Sequence, residues 1–116
     1  MAFGTFDIFH PGHANFLKQA KKYGELIIVI ARDKTVKRIK GRLPKHDEKQ
    51  RQHAVQASGL ADKIILGNLT DKYAAIKKYR PDIIALGYDQ KYFTEQLAPE
   101  LKNLKLKTKI IRLKSF

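Results

Sequence analysis

Two histidines three residues apart, His10 and His13, lie in the string Gly4-Thr5-Phe6-Asp7-Ile8-Phe9-His10-Pro11-Gly12-His13, the densest concentration of chemically capable side chains in the sequence. A free imidazole titrates near ~6.5, so either ring can offer a hydrogen bond or a positive charge to a phosphate oxygen as charge develops there. Gly12 and His13 fall at the start of a predicted helix, where unpaired backbone N–H groups and the helix dipole favour a phosphate. Gly4 lets the backbone come close to a ligand. One histidine at a helix start is most often a cap or a surface residue, so the weight rests on the pair and its glycines together. A His-x-x-His pair also suits a metal, but His46 and His53 are remote in sequence and zinc needs about three protein ligands. No metal is therefore assigned to the side chains.

The elements that must position this string are readable from the apolar pattern. Short β-branched runs at Met1–Phe3, Leu26–Ala31, Lys63–Leu66, Asp82–Leu86 and Lys109–Leu113 alternate with helical periodicity. Most are continuous rather than alternating, which suits strands of a parallel sheet covered on both faces. Helices are predicted over Gly12–Tyr23, with Gly24 as the stop, over about Asp47–Ser58, and over Thr70–Tyr79 with Thr70 as N-cap. A fourth, Glu95–Leu104, contains Pro99 and is expected to begin afresh there. The alternation predicts an α/β fold: a Rossmann-like open parallel sheet of about five strands with helices on both faces, a single domain over residues 1–116. Ligands in such sheets bind at the carboxyl ends of the strands, where strand order reverses.

With 116 residues, 43% hydrophobic and 30% charged, the chain has the composition of a globular domain. No apolar run approaches the ~18–20 residues of a spanning helix, and the absence of cysteine excludes disulfides, thiol chemistry and cysteine–zinc sites. A cytoplasmic location without membrane contact is the default expectation. The net charge of +13 favours anionic partners. It is concentrated in two stretches: Arg32–Arg51, with nine basic residues against Asp33, Asp47 and Glu48, and Glu100–Phe116, with six against Glu100. Neither is interleaved with aromatics as a single-strand nucleic-acid platform would be.

The ten-residue string closely resembles the signature of the HxGH nucleotidyltransferases, the cytidylyltransferase-like superfamily, in which a strand is followed by G-[TS]-F-D-x-x-H-x-G-H. That resemblance implies attack of a substrate phosphate on the α-phosphorus of a nucleoside triphosphate, release of pyrophosphate, and no covalent enzyme intermediate. Catalysis then rests on alignment and on stabilising an in-line transition state. The resemblance extends along the chain. Residues 31–41 look like the family's loop whose lysine faces the phosphates, matched here to Lys37. Residues 47–51 look like its E-x-R segment, with Arg51 expected to approach the triphosphate. Leu86-Gly87-Tyr88-Asp89-Gln90 resembles the loop beside the base.

The resemblance thus implies catalytic roles for His10, His13, Lys37 and Arg51. It implies nucleotide contacts from Gly4, Thr5, Phe6, Gly12, His13, Gly87 and Asp89, with Asp7 orienting the acceptor phosphate or its cation. Within the superfamily, residues 31–41 and the Ala85–Gln90 stretch are most similar to the archaeal FAD synthase group, which adenylylates FMN with ATP and a divalent cation, typically Mg²⁺. Glycerol-3-phosphate cytidylyltransferases, acting with CTP, are close relatives that typically carry tryptophan where this chain has Gln90. Relatives commonly form homodimers. A Ser/Thr-rich segment that binds triphosphate follows the last strand in the family, whereas this sequence stops at Lys114-Ser115-Phe116, either because it is trimmed or because the protein is an incomplete copy; if the segment is absent, Arg51, Lys37 and the histidines would hold the triphosphate alone. The reading from another class is a non-catalytic polyanion- or nucleic-acid-binding module on the same fold; the intact Asp7, His10 and His13 argue against it, since backbone binding needs only Lys and Arg.

Overall fold

The computed structural model describes residues 1–87, 90 and 94–114. Five parallel strands form one sheet: β1 (Ala2–Gly4), β2 (Ile27–Ile30), β3 (Lys63–Leu66), β4 (Ile83–Leu86) and β5 (Lys109–Arg112). Their order is β3-β2-β1-β4-β5. β1 pairs with β2 from Ala2 opposite Ile28 to Gly4 opposite Ile30, and touches β4 at Ala2 opposite Ala85. The order of travel therefore reverses between β1 and β4, and the crevice this opens lies at the strand ends that carry Gly4 and Gly87.

The continuous apolar runs are explained by two covered faces. Ile28, Ile30, Ala2 and Ala85 pack under α1 (Pro11–Lys21), through Leu17 and Ala20, and under α3 (Glu48–Ala57), through Val55. Val29, Phe3, Ile84 and Leu86 point the other way, onto Ile76 of α4 (Ala74–Tyr79) and Leu97 and Leu101 of α5 (Thr94–Asn103). Successive strand residues feed opposite cores, so neither parity is polar.

Three expectations about the elements change. Residues 31–41 hold a helix, α2 (Asp33–Lys40), rather than a loop; it ends at Gly41, whose left-handed φ of 78° is readily adopted without a Cβ. Thr70 caps nothing: the Asn68 side chain accepts the N–H groups of Thr70 and Asp71, and Asp71 accepts that of Tyr73. These local bonds hold residues 68–73 as a loop and delay α4 to Ala74. Pro99 does not restart α5, which runs through it; buried Leu97 and Leu101 on either side offset the one backbone hydrogen bond that proline removes. Among the described residues no helix is long and apolar enough to cross a membrane.

Candidate active site

At the crevice the chain leaves β1 and turns sharply, with Phe6 and Ile8 at positive φ of 54° and 51°. Non-glycine residues rarely adopt that region, so surrounding contacts must hold the turn there. The ring of Phe6 is buried and lies against His13, centroids 5.3 Å apart, edge to face. It also covers Gly4, where an added Cβ would come within 2.7 Å of it. Gly4 thus makes room for Phe6.

The histidines cap α1 in an unusual way. His10 is the N-cap, and its Nδ1 accepts the N–H of Gly12 at 3.0 Å; His13 Nδ1 accepts the N–H of His10 at a longer 3.4 Å. The rings stack with centroids 3.8 Å apart and planes 21° from parallel. A nitrogen that accepts carries no proton, so each ring bears its hydrogen on Nε2, and neither Nε2 is hydrogen-bonded among the described residues. The His13 pKa is pushed down to about 4 by burial and then by neighbouring His10, with Asp7 pulling the other way. The ring therefore works as a neutral donor, not as the cation that its free pKa would allow. Gly12 is needed for this packing, because a Cβ there would lie 2.8 Å from His10 Cε1.

Around them is a cavity of about 1470 Å³ at the carboxyl ends of the strands. It brings together Gly4, Thr5, Phe6, Asp7, His10, Gly12, His13 and Gly87, all expected from the sequence. Tyr88 and Asp89 lie outside the described residues. Gln90 is a structural tie: its amide nitrogen donates to Phe3 O and its amide oxygen accepts from Gly87 N, bridging β4 to β1.

Two expected phosphate ligands do not line the cavity. Arg51 has no exposed surface; Nε donates to His46 O, one terminal nitrogen to Thr5 O at 2.8 Å, and the other to Asp33 at 2.7 Å. Asp33 and Glu48 cap each other's helices, Glu48 accepting from Asp33 N and Asp33 from Glu48 N, while Glu48 also pairs with Arg32. The guanidinium is thus consumed in joining the starts of α2 and α3 to the β1 turn. Lys37 is exposed and points elsewhere. On α2 the buried residue is Val36, so the residue sharing its face one turn on is Lys40, and Lys40 does line the cavity. Arg32 and Arg38 line it too. Reading residues 31–41 as a helix would have found Lys40.

Asp7 also holds structure together. Its carboxylate accepts the N–H groups of Lys45 and His46, both at 2.9 Å, fastening the α2–α3 connection to the β1 turn. Although desolvation alone would raise its pKa, these two bonds and the nearby positive charges hold it below the usual carboxylate value.

A parallel sheet with a switch-point crevice, and a glycine-flanked histidine pair at the first helix N-terminus, define a nucleotidyltransferase type of site. A family model described as cytidylyltransferase-like matches residues 1–115, and the chain belongs to that family. It is 44% identical over its whole length to an FAD synthase of Aciduliprofundum boonei, covering 78% of that protein. It is 46% identical, over 99% of its length, to an FAD synthase of Archaeoglobus profundus, covering 74% of it. A crystal structure described as the lipopolysaccharide core biosynthesis protein of Thermoplasma volcanium superposes with a TM-score of 0.92 at 40% identity, over all of this chain and 95% of that one.

Proposed function

We propose that this chain transfers the adenylyl group of ATP to FMN, giving FAD and pyrophosphate. The observation that carries the reading is the stacked histidine pair, two Nε2–H donors at a helix N-terminus within the cavity. The names of the relatives that match the whole of this chain, and about three quarters of their own length, support the choice of nucleotide and acceptor. A phosphate oxygen of FMN attacks the α-phosphorus as the bond to the pyrophosphate oxygen breaks. His10 and His13 donate to the α-phosphate oxygens where charge builds, the helix N-terminus adds its dipole, and Lys40 and Arg38, which also line the cavity, neutralise phosphates.

The cavity exceeds the ~300–1,000 Å³ of a typical single-ligand site, as two simultaneous substrates require. Val36, Ile39, Leu69 and Tyr73 are among the residues that line it, apolar and aromatic surface of the kind a flat ring such as the flavin packs on. For the divalent cation, Asp7 is the carboxylate beside the histidines, and no group of three acidic or histidine ligands occurs among the described residues. That donor set fits Mg²⁺ arriving on the triphosphate with one protein carboxylate nearby, and the ion would neutralise the phosphates.

The test is product analysis after incubation with Mg²⁺ and either FMN with ATP or glycerol 3-phosphate with CTP. FAD and pyrophosphate are expected. CDP-glycerol instead would replace the acceptor and base assignments. No product from either, with steeply salt-dependent binding to duplex or tRNA, would replace the enzyme reading with the polyanion module.

A further inference from the structure

Neighbouring parallel strands are joined by evenly spaced main-chain bonds, and three of the four strand pairs here continue that ladder one residue past a strand end. Ala31 N donates to Gly4 O between β2 and β1, Gly67 N to Ile30 O between β3 and β2, and Leu113 N to Leu86 O between β5 and β4. Between β1 and β4 the ladder begins in the same way, with Met1 N donating to Ile83 O and Ala85 N to Met1 O. Its alternation makes Gly87 N to Phe3 O the next bond of that series. A side chain stands there instead. Gly87 N donates to Gln90 Oε1 at 3.1 Å, and Gln90 Nε2 donates to Phe3 O at 3.2 Å. A primary amide carries a donor and an acceptor, so it satisfies both ends of the replaced bond without joining them directly.

The replacement falls at the junction where strand order reverses, and Phe3, Gly87 and Gln90 all line the cavity. Gln90 is itself held in place. Its N–H donates to Gly87 O, and Arg112 Nη1 donates to both Gly87 O and Gln90 O. Arg112 stands opposite Leu86 on β5 and does not line the cavity. Stability alone would favour the direct bond, because it orders no side chain.

We propose that Gln90 is a positioning residue that works as a spacer: its amide keeps the ends of β1 and β4 from closing on each other at the switch point. It thereby sets the separation between Gly87 and the turn that leads to the histidine pair, across which the nucleotide is aligned. Arg112 is a second positioning residue, acting through Gln90. The inference rests on the nucleotidyl-transfer reading.

Gln90→Ala tests this through three readings: binding of a fluorescent ATP analogue, kcat for FAD formation, and the unfolding midpoint. Without the amide, Gly87 N and Phe3 O are free to bond directly. Analogue affinity and kcat are each expected to fall about tenfold, the scale of a sub-ångström misalignment, at a midpoint that is unchanged or higher. An NMR scalar coupling across the new Gly87–Phe3 hydrogen bond, absent from the wild type, should appear. Arg112→Ala is expected to weaken the analogue about threefold, the scale of losing an exposed hydrogen bond, and to add nothing in the Gln90→Ala background. A Gln90→Ala midpoint that falls, an analogue affinity that does not, or no new coupling would make the amide an ordinary structural tie and overturn the proposal. An Arg112→Ala effect that multiplies fully with that of Gln90→Ala overturns the role of Arg112. Wild-type protein that binds no ATP analogue and makes no FAD overturns the underlying reading, while the coupling still reports whether Gln90 spaces the strands, which separates the two failures.

Discussion

At the α1 end of the cavity, two imidazoles satisfy their Nδ1 atoms locally and keep an Nε2–H each in reserve. At the start of α3, outside the cavity, Arg51 commits its Nε and both terminal nitrogens to the protein itself, to His46 O, Thr5 O and Asp33. Both ends meet the same β1 turn, one through Phe6 and His13, the other through Thr5 and Asp7. Their difference teaches that a group's availability depends on what its other atoms are bonded to. A stacked, capped histidine is held in place and still able to donate; a triply bonded, fully buried guanidinium is held in place and spent.

If that division is correct, damage at the two ends should register in different measurements. The largest effect is on stability. Arg51→Ala takes this donor from Asp33 and from two carbonyls, and losing these half-buried hydrogen bonds, one of them charge-assisted, costs about 3 kcal/mol. The chemical-denaturation midpoint should fall accordingly, and Arg51→Lys should recover only part of it, since one ammonium cannot reach all three acceptors. Gly12→Ala attacks the histidine end by steric means. Its Cβ would sit 2.8 Å from His10 Cε1, so the ring must move. We expect kcat for FAD formation to fall about tenfold, the scale of a modest overpacking strain of ~1–3 kcal/mol.

Smaller effects sharpen the contrast on the α2 wall. Lys40→Ala should raise the KM for a phosphate-bearing substrate about fivefold, whereas Lys37→Ala, on the exposed side, should stay within about twofold. The smallest effect is a pH dependence. His13 takes up its proton near pH 4 when folded and near ~6.5 when unfolded, so between those values the unfolded chain binds more protons. Stability from this ring is complete above about 6.5 and declines as pH falls towards 4. An NMR titration of the His13 ring, with unfolding midpoints over the same range, checks both the value and the sign.

The sheet and the histidine string were legible because each depends on local pattern. Val29 and Ile30 are adjacent and both apolar, which only a doubly covered strand explains, and the glycine–histidine spacing carries its own geometry. The fates of Arg51 and Lys37 were not legible. Arg51 is consumed by Thr5, His46 and Asp33, partners 46, 5 and 18 residues away, and nothing in the E-x-R segment itself announces them. Lys37 lies off the cavity because residues 33–40 are helical, and only that period puts Lys40 on the face of buried Val36.

The claim on which the whole account turns is that the histidine end performs the chemistry. It is tested most directly by the kcat of His13→Ala at saturating FMN and Mg·ATP, with the unfolding midpoint read on the same sample. Loss of one transition-state donor predicts a fall of about two orders of magnitude with an intact fold. A wild-type rate in that variant would remove His13 from the mechanism and contradict the account.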